Sequence, residues 1–94
     1  MGRIFVVDDN EMLRESVAET LAREDHVVSA FGDPIEALRA VRSSPVDCVL
    51  TDLKMPGMDG VSFLRELRSG GCEASVILMT AFGTVDTAVE AMKL

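Results

Sequence analysis

The chain predicts an α/β fold built on a parallel sheet. Short apolar runs alternate with helix-period patterns four times in succession. The runs are continuous rather than alternating, as in strands buried on both faces. Acidic or hydroxyl residues stand at the carboxyl ends of three of them: Asp8-Asp9 after Ile4–Val7, Asp52 after Val46–Thr51, and Thr80 closing Val76–Met79. Repeated β-α units with right-handed crossovers give a parallel sheet with helices on both faces.

Residues 3–7 form the first strand. Over residues 11–23, Leu13, Val17 and Leu21 recur at helical spacing, and Glu11, Arg14, Glu15, Glu19 and Arg23 fill the other face, so this stretch is an amphipathic helix. His26 to Phe31 reads as the second strand. Asp33, Pro34 and Glu36 mark a helix start, with a cap, a first-turn proline and the third member of a capping box. Ala37, Leu38 and Val41 supply its stripe, and Ser43-Ser44-Pro45 ends it.

The third strand is Val46 to Thr51. The turn-rich stretch from Lys54 to Gly60 leads to a third helix striped by Val61, Phe63, Leu64 and Leu67. Ser69-Gly70-Gly71 closes that helix, with glycine free to take positive φ. Ser75 to Thr80 is the fourth strand. Thr84 caps a fourth helix carrying Val85, Ala88, Val89 and Met92. No repeat, linker or low-complexity tract interrupts the pattern.

Ninety-four residues suit one small domain, and 48% hydrophobic residues suffice for its core. A net charge of −7 with scattered basic residues argues against direct nucleic-acid contact, which needs clustered Lys and Arg. No apolar stretch approaches the ~20 residues of a membrane span. Met1-Gly2-Arg3 leads straight into an apolar run, without the form of a signal peptide. Cys48 and Cys72 form no metal-ligand pattern and are expected as free thiols, Cys48 in the core and Cys72 exposed.

In open parallel sheets, ligands bind beyond the carboxyl ends of the strands. Asp8, Asp9, Asp52 and Thr80 share that end. Carboxylates crowded in one crevice repel unless a cation sits among them. Mg²⁺ fits: it takes oxygen ligands, often one or two carboxylates plus a phosphate. Asp9 and Asp52 would be direct ligands, and Asp8 would act directly or through water. The carbonyl of Lys54 could add a neutral oxygen. A carboxylate in such a site can also attack phosphorus, giving an aspartyl phosphate. Asp52, alone on the central strand end, is the candidate nucleophile, and Thr80 the hydroxyl that bonds a phosphoryl oxygen.

Each residue has a plainer role when taken singly. An Asp after a strand often starts a loop or caps a helix, Asp59 can merely start the third helix, and Thr80 can be a turn hydroxyl. His26, at the opposite end of its strand, is not a ligand, and Lys93 is a solvated helix-end charge. Two other classes also remain: a Mg²⁺-dependent phosphatase or phosphotransferase, and a purely structural interaction domain. Many such phosphatases place a second Asp two residues after the nucleophile as acid/base. Here Lys54 follows Asp52 at that distance, and Asn10 follows Asp8.

The segments "IFVVDDN", "DCVLTDLKMPGMDG" and "VILMTAFGTVDTAVEAMK", in that order, resemble the receiver domain of two-component response regulators across the whole chain. The resemblance implies a flavodoxin-like fold of strand order 2-1-3-4-5; receivers are a known instance of that order, so it comes from the family and not from the apolar pattern. It implies that a histidine kinase donates a phosphoryl group to Asp52 with Mg²⁺, held by Asp8, Asp9, Asp52 and the Lys54 carbonyl, and that Thr80 follows the phosphoryl group when the domain switches. A receiver is a cytoplasmic phosphoacceptor that assists its own phosphorylation and dephosphorylation, rather than an enzyme acting on other molecules. The last segment is most similar to receivers of NtrC-type transcription activators.

Receivers usually continue into a fifth strand, a Lys shortly after it and a fifth helix. Residues 1–94 therefore read as a receiver truncated after helix four, with impaired activity expected. Strand four would present an unpaired edge, and helix one alone would cover one sheet face. A homodimer through that edge or face follows as an expectation.

Overall fold

The computed structural model describes residues 2–52 and 57–79. The elements in chain order are β1 (Arg3–Val7), α1 (Glu11–Arg23), β2 (Val27–Phe31), α2 (Pro34–Ser43), β3 (Cys48–Asp52), α3 (Gly60–Ser69) and β4 (Ser75–Met79). The expectations for Lys54, Thr80 and the fourth helix lie outside the described residues.

All strand pairs are parallel, in the order β2-β1-β3-β4. The chain steps from β1 one way to β2, then crosses back past β1 to β3 and β4. Right-handed crossovers taken in opposite directions put their helices on opposite faces. Accordingly α1 packs on β2 and β1. Helices α2 and α3 share the main core cluster, in which Ala37, Phe63 and Leu67 meet Phe5, Val7 and Val49.

Among the described residues, the two faces are unequally covered. α3 buries Val61, Phe63, Leu64 and Leu67, whereas no residue of α1 is fully buried. Met12 and Leu13 of α1 are exposed. In β4, Val76 and Leu78 pack towards α3. Alternation turns Ile77 to the other face, where it is 52% exposed. Among the described strands, β2 and β4 are the sheet edges.

Helix starts follow local chemistry. The side chains of Asn10 and Asp59 accept from the N–H groups of Leu13 (3.0 Å) and Ser62 (2.8 Å). Asp33 caps α2, but its carboxylate accepts from Ile35 N–H at 2.9 Å, one residue short of a full capping box. Gly71, at φ 87°, supplies the left-handed residue after α3.

Strand bounds shift slightly from expectation. β2 begins at Val27 rather than His26, whose N–H still donates to the Leu21 carbonyl of α1 at 3.4 Å. β3 spans Cys48–Asp52, so Asp52 is a strand residue paired with Met79 rather than one following the strand. His26 lies at the amino end of the sheet, where its Nδ1 accepts from Gly2 N–H at 3.2 Å. Both cysteines are free and half-buried, so Cys48 is less buried, and Cys72 more sheltered, than expected. Burial first, and the neighbouring Asp47 second, push the Cys48 thiol up, which disfavours the reactive thiolate.

Candidate functional site

The reversal in strand order falls between β1 and β3, so the ligand crevice opens at their carboxyl ends. The register Val7↔Thr51 makes Asp8 and Asp52 the next neighbours along the two strands. Their side chains therefore project from adjacent strand ends. Asp9 follows on the turn into α1. Carboxylate oxygens of Asp8, Asp9 and Asp52 all lie within 4.8 Å of one another.

The three differ in exposure. Asp8 is 1% exposed, Asp52 is half-buried and Asp9 is exposed. One Asp8 oxygen, Oδ1, accepts from Asn10 N–H at 2.9 Å. The other, Oδ2, is buried without a hydrogen-bond partner in the described structure. Asp8 is held above the ordinary carboxylate value. Burial is the main cause, the Asn10 N–H works against it, and the Asp52 and Asp9 carboxylates add to it.

A buried carboxylate oxygen without a partner is costly. Placed beside two further carboxylates, it defines an all-oxygen donor set for a hard divalent cation. Asn10 does two jobs: its side chain caps α1 and its N–H anchors Asp8. A cleft of about 310 Å³ borders Asp9, lined by Gly32, Pro34, Ile35 and Met58 among others.

Asp8, Asp9 and Asp52 are thus brought together, while Lys54 and Thr80 lie outside the described residues. Arg14 and Gly32 carry no signal in the sequence pattern. The Arg14 guanidinium donates from Nη1 to the Asp8 carbonyl at 2.9 Å. In the helical pattern Arg14 is one charged position among five, and nothing in its spacing distinguishes it. Thr51 was also unremarked. It is fully buried, and its hydroxyl donates to the Asp52 carbonyl at 3.1 Å.

Comparison with known proteins agrees with this geometry. The chain belongs to the response regulator receiver domain family, whose model matches residues 4–94. The transcriptional regulatory protein FixJ of Bradyrhizobium diazoefficiens is 36% identical over 93 residues, covering 99% of this chain and 45% of FixJ. The DNA-binding transcriptional regulator NtrC of Escherichia coli is 36% identical over 90 residues, covering 96% of this chain and 19% of NtrC. The chain therefore spans less than half the length of these relatives. Among solved structures, the beryllofluoride-activated NtrC4 receiver domain dimer superposes with a TM-score of 0.91 at 32% identity, covering 99% of this chain and 77% of that one. The fold is thus that of receiver domains, flavodoxin-like, here with four described parallel strands. Among the described residues, no helix is long and apolar enough to cross a membrane.

Proposed function

We propose that, as a receiver, this chain is the phosphoacceptor module of a two-component response regulator, with residues 1–94 acting as one signalling unit. Asp52 accepts the phosphoryl group from a phosphohistidine of a histidine kinase. The observation that carries this reading is the cluster of Asp8, Asp9 and Asp52 within 4.8 Å, with Asp8 Oδ2 buried and unpartnered. That donor set fits Mg²⁺, with Asp8, Asp9 and Asp52 supplying carboxylate oxygens and Lys54 a backbone carbonyl. When bound, the ion neutralises the crowded carboxylates and the oxygens of the arriving phosphoryl group.

In the transfer, an Asp52 carboxylate oxygen forms a bond to phosphorus as the phosphorus–nitrogen bond to histidine breaks. The electron pair of that bond stays on the imidazole, which takes up a proton from solvent. Asp52 is half-buried at the end of β3, so its carboxylate is carried on a rigid strand and remains accessible to the donor. Thr80 donates to a phosphoryl oxygen and carries the change to the output surface. The transcription regulators among the relatives support a cytoplasmic role in controlling transcription. The chain assists its own phosphorylation and dephosphorylation and has no separate substrate to turn over. The dimeric state of the NtrC4 neighbour supports self-association here as well.

The test is incubation with radiolabelled acetyl phosphate or a phosphorylated kinase. Wild type with Mg²⁺ is expected to take up label, and Asp52→Asn or wild type in EDTA is not. Label retained by Asp52→Asn would refute the assignment of the acceptor.

A further inference from the structure

We propose that Arg14 is a positioning residue of the acidic site, clamping the Asp8 backbone from a slot that glycine at position 32 keeps open. The inference rests on the reading of the acidic cluster as a Mg²⁺ site and deepens it.

Three observations carry it. First, the half-buried Arg14 reaches back from α1 and donates from Nη1 to the Asp8 carbonyl at 2.9 Å. The bond goes to the main chain, so Arg14 acts through the backbone that carries the ligands. Second, Asp8 N–H is already held by the Phe31 carbonyl at 3.1 Å, and Asp8 Oδ1 by Asn10 N–H at 2.9 Å. With Arg14 on the carbonyl, the Asp8 residue is tied on the amide, carbonyl and carboxylate sides.

Third, Gly32 continues the β1–β2 register from Val7↔Phe31 and so stands beside Asp8. A Cβ placed there would lie 2.8 Å from Arg14 Nη1 and 3.4 Å from its Cζ. The three nearest atoms it would meet all belong to this guanidinium. Among the described glycines only Gly57 and Gly71 have positive φ, so the backbone at 32 does not demand glycine. What a side chain there would meet is the Arg14 guanidinium, which would have to move aside.

The physical consequence concerns like charge. Three carboxylates within 4.8 Å push the β1–α1 turn away from β3 when no cation is present. A guanidinium gripping the Asp8 carbonyl resists that movement; its contact is with the main-chain oxygen, so it acts by position, while its charge by itself disfavours a second cation. The ligands are then held close to their binding arrangement before the ion arrives, which is how supporting groups around a metal site raise its affinity.

The test is Mg²⁺ binding by isothermal titration calorimetry on the 94-residue chain, alongside thermal unfolding in EDTA. Arg14→Ala is expected to weaken Mg²⁺ about tenfold, in the range found for supporting residues of metal sites. Gly32→Ala is expected to weaken it similarly, because the new methyl group displaces the guanidinium. Its melting temperature should stay at or above wild type, since the clash is with the end of a flexible side chain. That split separates positioning from mere fold support, and it holds the test even if Arg14→Ala does not fold. The double variant should bind no worse than the weaker single one, and Arg14→Lys should recover part of the loss. Gly32→Ala binding within about twofold of wild type, or fully additive losses in the double variant, would overturn the clamp. A wild type that binds no Mg²⁺ would instead sink the reading of the site itself.

Discussion

Replacing Asp8 by Asn should make the metal-free protein more stable. Asp8 is buried, one of its oxygens has no hydrogen-bond partner among the described residues, and two more carboxylates lie within 4.8 Å. At that separation a like-charge pair costs about 1 kcal/mol in water and about 3.5 kcal/mol at the effective dielectric of a protein surface. The pair with exposed Asp9 lies near the lower figure, and the pair with half-buried Asp52 between the two. Asparagine removes both repulsions and keeps an acceptor for Asn10 N–H. Its amide NH₂ must be housed where Oδ2 was, which costs about 1 kcal/mol if poorly bonded. The expected net gain is therefore about 2 kcal/mol, or a melting temperature higher by about 10 °C for a domain of this size.

The pH dependence gives an independent check of sign. Asp8 is held above its ordinary value of 3.8 in the folded chain. Between 3.8 and that raised value the folded chain binds more protons than the unfolded one, so stability falls as pH rises through this window. The advantage of Asp8→Asn should therefore be full above the raised value and shrink as pH falls through it towards 3.8. Saturating Mg²⁺ should reverse the order, because a ligand at a hundred times its Kd adds about 2.7 kcal/mol to the protein that binds it. Urea titration followed by circular dichroism, with EDTA or Mg²⁺, measures all three effects. An Asp8→Asn variant less stable than wild type in EDTA at pH 7 would refute the argument that the site is repulsive.

Two further outcomes are expected. Asp33→Ala removes the cap on Ile35 N–H and should cost about 1 kcal/mol in urea melts; a loss above about 3 kcal/mol would mean that Asp33 does more than cap. Sedimentation equilibrium should show copies associating through the thinly covered α1-side face, where Ile77 is half exposed, and Ile77→Asn should shift the balance to monomer. A wild type that stays monomeric at high concentration would count against that surface.

Much of this molecule was legible from its apolar pattern. Ile4–Val7 reads as a strand buried on both faces, and Ile4, Phe5, Val6 and Val7 are all buried. The stripe of Val61, Phe63, Leu64 and Leu67 gives α3, and these residues are its buried face. α1 was less faithful. Leu13 follows the stripe yet is 47% exposed, because periodicity assigns a face but not whether anything covers it. Asp8, Asp9 and Asp52 were readable because strand ends in a parallel sheet converge whatever the loops do. Their inequality was not. That Asp8 is buried with an orphan oxygen while Asp9 is exposed depends on the turn into α1, which spacing does not specify. Arg14 and Gly32 were hidden for a related reason, since their contact joins α1 to the end of β2 across tertiary space.

The placement of the acidic cluster follows from what precedes it in each strand. Val6 and Val7 lead into Asp8, and Val49 and Thr51 flank Leu50 just before Asp52; Val6, Val7, Val49 and Thr51 are each 0% exposed. Burying one valine side chain contributes about 1.5–3 kcal/mol, so three of them are of the same size as the repulsion of a cluster in which each pair with exposed Asp9 costs about 1 kcal/mol and the Asp8–Asp52 pair about 1–3.5 kcal/mol. The stabilising residues belong to the same two strands as the destabilising ones, and the ladder from Val7↔Thr51 downwards cannot slip without unburying them. Repulsion is therefore confined to the side chains and the β1–α1 turn. It cannot be relieved by parting the strands, and a cation among the carboxylates relieves it without protonating Asp8. A site on loops alone would spread under the same charge and lose its geometry before an ion arrived.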